Sequence, residues 1–228
     1  PPDSMWPRFE DQPVHRLLRI NRDGSGVEPV LNIVGPCQVR KLVCHPAGGI
    51  YIEYGTPDEY VMKRIAPDGR ETGKIGLPFS PSCSYIDPAG NIYITGSIDR
   101  RNADAIPVTG NARHDSFIGG DVDKDIFLMR YGPDFDLRYC SFLGGSDLDY
   151  PDAIVGDADR NIVLTCYSLS HDCECMPGGE YPAQAVLVFD LTLNTLVYGW
   201  RSQSGSEYVP SGYDTTYGYG IPDLSSLA

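Results

Sequence analysis

Basic residues are scarce in this chain: 18 Lys and Arg stand against 31 Asp and Glu, a formal net charge of −13 at pH 7 with a pI near 4.6. Such a surface repels a phosphate backbone, so nucleic acid is excluded as an expected partner. No apolar run approaches the roughly 20 residues that a membrane-spanning helix needs, and no membrane span is expected. A Gly-x-Ser-x-Gly nucleophile elbow is missing, as is a Cys-x-x-Cys-His haem attachment run. The start at Pro1-Pro2 shows neither an initiator Met nor a signal-peptide pattern. It reads as a processed product or a piece of something longer.

What is abundant is turn and strand material. Among 228 residues there are 25 Gly, 19 Pro and 15 Tyr, a mixture that favours many short strands and tight turns over helices. The length is enough for a sizeable core without covalent staples. Seven cysteines, at 37, 44, 83, 140, 166, 173 and 175, exceed what a reducing compartment usually shows, and their odd number leaves one thiol over. The expectation is an oxidising, extracytoplasmic setting with disulfides.

Two units recur along the chain. IDPAGNIYITGS from Ile86 is echoed by CHPAGGIYIEYG from Cys44 and GDADRNIVLTC from Gly156, which aligns His45, Asp87 and Asp157. HRLLRINRDG from His15 is echoed by YVMKRIAPDG from Tyr60, IFLMRYGPDF from Ile126 and VLVFDLTLNT from Val186, placing Asp23, Asp68, Asp134 and Asn194 at one turn position. Each copy is a turn built on Asp, Pro or Gly followed by four to six Ile, Val, Tyr or Phe residues in rough two-residue alternation, the pattern of a strand. Asp23-Gly24 and Asp68-Gly69 read as hairpin turns.

Laid end to end, the strands come in fours. Residues 39–44, 50–54, 60–65 and 74–77 form one set, 83–86, 92–95, 126–131 and 138–143 a second, and 153–156, 162–166, 186–191 and 196–200 a third. Two strands, 15–20 and 28–34, precede them, and 217–221 is the one later candidate. Repeated four-stranded meanders imply an all-β fold of β-propeller type with about three and a half blades visible. Residues 1–13 read as a lead-in, 14–200 as blades, and 201–228 as a Ser, Gly and Tyr-rich loop with a possible closing strand. Free sheet edges recruit other strands and require a cover. The chain therefore either closes as a four-bladed ring through Tyr217–Ile221, forms an arc of a larger wheel completed by further sequence or another subunit, or stacks openly as a sandwich.

FLGGSDLDY from Phe142, IVGDADRNIVLT, YIDPAGNIYITGS and DKDIFLMRYGPDFDLRYCSFLGG resemble the bacterial SBBP-type β-propeller repeat. The second set matches nearly throughout, whereas His45 replaces the turn Asp in the first and Arg160 replaces the turn Gly in the third. The resemblance implies architecture and is nearly silent on activity. It implies a secreted or surface-anchored bacterial protein, often a non-catalytic module of a larger assembly.

Each candidate site also admits a plainer role. Asp121, Asp123 and Asp125 alternate as calcium ligands do, but Ile126 and Gly132 stand where an EF-hand needs Gly and Glu, so solvated edge charge competes with Ca²⁺. His171, Cys173 and Cys175 carry zinc-compatible donors at the wrong spacing, and a bridge from one of these cysteines to Cys166 or a neighbouring strand is the competing expectation. No catalytic residue is assigned. The alternative of a propeller lyase or a lactone or polysaccharide hydrolase would draw on His45, Glu53 and His114. Insertions say more: the second and third strands are joined by about three residues in the first set, about 26 in the second and about 17 in the third. Long loops at one topological position serve binding. The second loop carries Arg100, Arg101, Arg113 and His114, a basic patch on an acidic chain, and Tyr208, Tyr213, Tyr217 and Tyr219 form an adaptable contact composition in the tail. The expected function is a non-catalytic extracellular module that binds a protein or glycan or joins a surface assembly, with an architectural spacer as a further alternative. No cofactor is assigned beyond the Ca²⁺ alternative.

Overall fold

The computed structural model describes residues 14–20, 23, 25–45, 48–121, 123–157, 161–173, 183–194 and 196–203, with backbone only at 14, 15, 34, 183 and 197–203. The chain divides into two compact units, 1–80 and 81–228. Among the described residues, the regular elements are fourteen strands and one 3₁₀ turn. The fold is all-β, and every strand pairing is antiparallel.

The first unit holds a hairpin, β1 (Val14–Ile20) and β2 (Val27–Val34), and a four-stranded sheet of β3 (Gln38–Cys44), β4 (Ile50–Gly55), β5 (Tyr60–Ile65) and β6 (Glu71–Leu77). Strand order in the sheet is sequence order, as a meander requires. Ile52, Tyr54, Val61 and Ile65 form its core, and Val30, Leu31 and Ile33 of β2 pack against them.

The second unit holds two further meanders. One is β7 (Cys83–Ile86), β8 (Ile92–Asp99), β9 (Lys124–Tyr131) and β10 (Leu137–Leu143); the other is β11 (Asp149–Gly156), β12 (Ile162–Ser168), β13 (Ala183–Phe189) and β14 (Leu196–Gln203). Strict alternation in β12 buries Ile162, Leu164, Cys166 and Ser168 on one face. Each large aliphatic side chain buried this way contributes about 1.5–3 kcal/mol. The first strand of the second meander, β11, packs on β7, β8 and β9. Gly156 of β11 lies so close to Tyr85 of β7 that a Cβ there would collide with the ring. Tyr93 crosses between the two sheets and donates its hydroxyl proton to Leu191 O at 3.0 Å. Burial pushes that phenol up to about 12, so it stays a donor at physiological pH.

The repeated Asp works as a turn lock. Asp87 is buried, and its carboxylate accepts from Asn91 N at 2.8 Å and Asn91 Nδ2 at 2.7 Å. Gly90 supplies the left-handed φ of 86° that closes the loop. Asp157 repeats the bonds to Asn161 at 2.7 and 2.8 Å. At the equivalent turn His45 N donates to Gly49 O at 3.1 Å and His45 O accepts from Gly48 N at 2.9 Å, with Gly48 and Gly49 both at positive φ.

The other repeat unit shifts in its last copy. Gly69, Phe135 and Leu193 share the left-handed position of the turn, with φ of 85°, 64° and 65°. Ile65, Tyr131 and Phe189 pair with Ile50, Ile92 and Ile162. Thr192, not Asn194, therefore occupies the column of Asp68 and Asp134. Asp190 takes over the carboxylate role by accepting from Thr192 N at 2.9 Å.

Among the described residues no disulfide is formed, so the bridge expected at Cys166 is not made with Cys173, although both are buried in one apolar cluster. Cys175 lies outside the described residues, as do the tail tyrosines 208, 213, 217 and 219 and the closing strand expected at 217–221.

Candidate functional site

The β8–β9 insertion is an ordered structure built onto its own sheet. β8 runs on to Asp99, whose carboxylate accepts from Asn102 N at 3.2 Å and starts a 3₁₀ turn over Arg100–Ala105. The chain then returns along β10, the outer strand of this sheet. Thr109 and Cys140 exchange bonds: Thr109 N donates to Cys140 O at 3.1 Å, and Cys140 N donates to Thr109 Oγ1 at 2.9 Å. Phe142 N donates to His114 O, His114 N to Ser141 Oγ, and Asn111 Nδ2 reaches Arg138 O. The insertion thereby covers an edge that would otherwise present bare amides and carbonyls.

Above this strip lies a groove of about 570 Å³ lined by Arg100, Ala103, Asp104, Ile106, Val108, Asp115, Ser116, Phe117 and Phe142. Phe117 meets Phe142 edge-on at 6.1 Å, and the Arg100 guanidinium lies 5.8 Å from the Phe117 ring centre. The result is an apolar floor rimmed by one cation and two carboxylates. Such a surface can hold a ligand with both apolar faces and hydrogen-bonding groups.

The insertion is tied down from below by Asp125. Its Oδ2 accepts from Ile118 N and Gly119 N, directly after Phe117. Asp125 is fully buried, and its Oδ1 has no hydrogen-bond partner. Burial pushes its carboxyl up to about 6; the two amides counteract this, and the nearby Asp149 and Asp123 add to it. Asp149 is equally buried and accepts from Gly145 N at 2.9 Å and Ser170 Oγ at 2.8 Å. Burial raises its carboxyl too, against the pull of Ser168, Gly145 and Ser170. The Gly-Gly of FLGGSDLDY is thereby explained: a Cβ at Gly144 would lie 2.7 Å from Asp149 Oδ2 and 3.0 Å from Asp125 Oδ1.

The sequence-derived candidates separate in space. Arg100 lines the groove and pairs with Asp121 at 3.6 Å. Arg101 and Arg113 are exposed on the same insertion, and His114 serves β10 through its backbone. Asp121 points to solvent, Asp123 accepts from Gly120 N, and Asp125 turns into the core. These three aspartates do not converge as the calcium reading requires. Among the described residues no group of three or more His, Cys, Asp or Glu is placed to hold a metal. His171 is exposed and Cys173 buried, and Cys175, the third residue of the zinc reading, lies outside the described residues. In the first unit, His45 sits in its turn with its ring edge on Tyr51 at 5.9 Å, and Glu53 is buried beside Tyr60. The sequence weighed Asp115 only as a neighbour of His114 and did not single out Asp104, Phe117 or Phe142, because only the return of the insertion onto β10 brings these residues together.

No family model matches this chain, and no curated protein does. Solved structures with partial likeness include "Crystal structure of Nidogen/Laminin Complex", at 14% identity and TM-score 0.42 over 81% of this chain and 55% of that one. "Luciferin-regenerating enzyme" aligns at 9% identity and TM-score 0.44 over 81% and 55%. A protein of unknown function from Bacteroides caccae aligns at 16% identity and TM-score 0.29 over 83% of this chain and 69% of that one. The chain thus spans about half the length of the first two.

Proposed function

We propose that this chain is a non-catalytic β-propeller module of the SBBP type, working outside the cell, whose β8–β9 insertion binds a glycan or a protein surface. Three consecutive four-stranded meanders with a shared turn grammar support the architecture. The observation that carries the binding role is the insertion itself. It is anchored by bonds to β10 and to Asp125, yet it keeps Phe117, Arg100, Asp104 and Asp115 around an open groove. An edge cover alone needs only the Thr109 to His114 strip; the residues on either side of it build the groove.

Binding is tested by presenting the purified chain to a panel of surface glycans and to extracellular proteins, alongside Arg100→Ala and Asp115→Ala variants. Both residues lie on the rim, so folding is retained. A specific ligand whose affinity falls about tenfold or more in either variant supports the reading. Ligand binding unaffected by both variants overturns the groove as its site.

A further inference from the structure

The hairpin of the first unit is half of a blade, and the repeat register identifies which half is absent from it. β1 carries the HRLLRI copy of the unit that forms β5, β9 and β13, the third strand of each complete sheet. Its neighbour β2 corresponds to the fourth strand. Ile20 therefore stands where Ile65, Tyr131 and Phe189 stand in the complete sheets, and those are at most 8% exposed while Ile20 is 63% exposed. Leu18 and Val27 are also exposed, at 46% and 58%. In the complete sheets the third strand is covered by pairing with a second strand. Among the described residues β1 pairs only with β2.

The complete sheets also show what the absent strand looks like. The residue opposite the Ile20 position is Ile50, Ile92 or Ile162 in turn. The residue opposite the Arg19 position is Tyr51 facing Arg64, Tyr93 facing Arg130, or Val163 facing Val188. Arg64 lies 5.9 Å from the centre of the Tyr51 ring, whereas Arg19 has no such ring beside it among the described residues and bonds to Pro67 O at 3.0 Å and Glu28 at 3.2 Å. This chain contains three copies of the first-and-second-strand unit, and each is already used in its own sheet.

We propose that the edge of β1 left unpaired among the described residues accepts a two-stranded hairpin of the first-and-second-strand type from a separate polypeptide segment, pairing antiparallel with Ile opposite Ile20 and Tyr or Val opposite Arg19. Edge pairing supplies the main-chain bonds, and burial of Leu18 and Ile20 supplies the apolar contact. The inference deepens the assembly side of the proposed function and rests on the repeat register, not on the groove. Loss of groove binding leaves it standing, and its failure leaves the groove intact.

The probe is a synthetic peptide of residues 83–97 with Cys83→Ser, added at millimolar concentration to the intact purified chain, with hydrogen exchange read over residues 14–20. Exchange of β1 amides is expected to slow about tenfold, while β10, already covered by Thr109 and His114, stays unchanged. An Ile20→Asp variant, altered at an exposed position, is expected to lose that protection. Unchanged β1 exchange with peptide overturns the proposal. So does slow β1 exchange in the chain alone, which would mean a second copy if it depends on concentration and the chain's own C-terminal residues if it does not.

Discussion

Asp125 and Asp149 approach one glycine from two sheets, leaving 3.0 and 2.7 Å between their oxygens and the point where a Cβ of Gly144 would sit. A Gly144→Ala substitution must displace a buried carboxylate whose hydrogen bonds are already committed. We expect a loss of about 1–3 kcal/mol, the range for overpacking a fixed core, measured by urea unfolding. An unchanged midpoint would show that the pair is not held as described.

The same pair sets an unusual pH response. Asp125 titrates near 6 in the folded chain against 3.8 for a free carboxyl. A folded-state value above the unfolded one means that its contribution to stability is fully present below about pH 4 and is lost as pH rises through about 6. Asp23, Asp68, Asp136 and Asp172 are shifted the opposite way by hydrogen bonds, so the comparison is between the parent chain and Asp125→Asn. The variant should gain stability relative to the parent as pH rises from 4 to 7, by at most about 3 kcal/mol. Parallel pH profiles for the two proteins would contradict this.

The turn locks should rank by burial. Asp87→Ala strands the Asn91 amide and side chain in a buried turn and is expected to cost about 2 kcal/mol. Asp68→Ala touches an exposed turn whose partner is Arg70 and should change stability by less than about 0.5 kcal/mol. Equal effects in chemical denaturation would mean that the repeated aspartates are retained for some other reason.

Thr109 is the clasp between the insertion and β10. Thr109→Val keeps the shape but removes the Oγ1 that accepts from Cys140 N. Exchange of the Cys140 amide should quicken, with about 1 kcal/mol of stability lost. Slow exchange in the variant would show that the strip is not held by this bond.

Strand positions were legible because alternation and Asp-based turns mark them directly. Three of the four strands of the first sheet begin within a residue of their expected starts, and β7 matches at both ends. β11 begins earlier, at Asp149, because Pro151 reads as a loop residue although it sits at an irregularity on an edge strand, where no ladder amide is needed. The slip at Asn194 arose because Leu193 adopts the left-handed conformation without a glycine to announce it. The groove was hidden for a different reason. The sequence marks residues 100–123 as long and basic, but the fold lays the exposed Arg100 over Phe117 and spends the middle of the loop on covering β10. Cysteine number suggested disulfides, yet Cys140 and Cys166 serve as buried apolar side chains whose thiols burial pushes upward, to about 12 in Cys140.

An experimental density map of the purified chain, fine enough to trace strands, tests the propeller architecture most directly. The account predicts that the two meanders of the second unit fan about one axis, with β7 and β11 innermost. Sheets stacked face to face as a sandwich, with those strands on the outside, would contradict it.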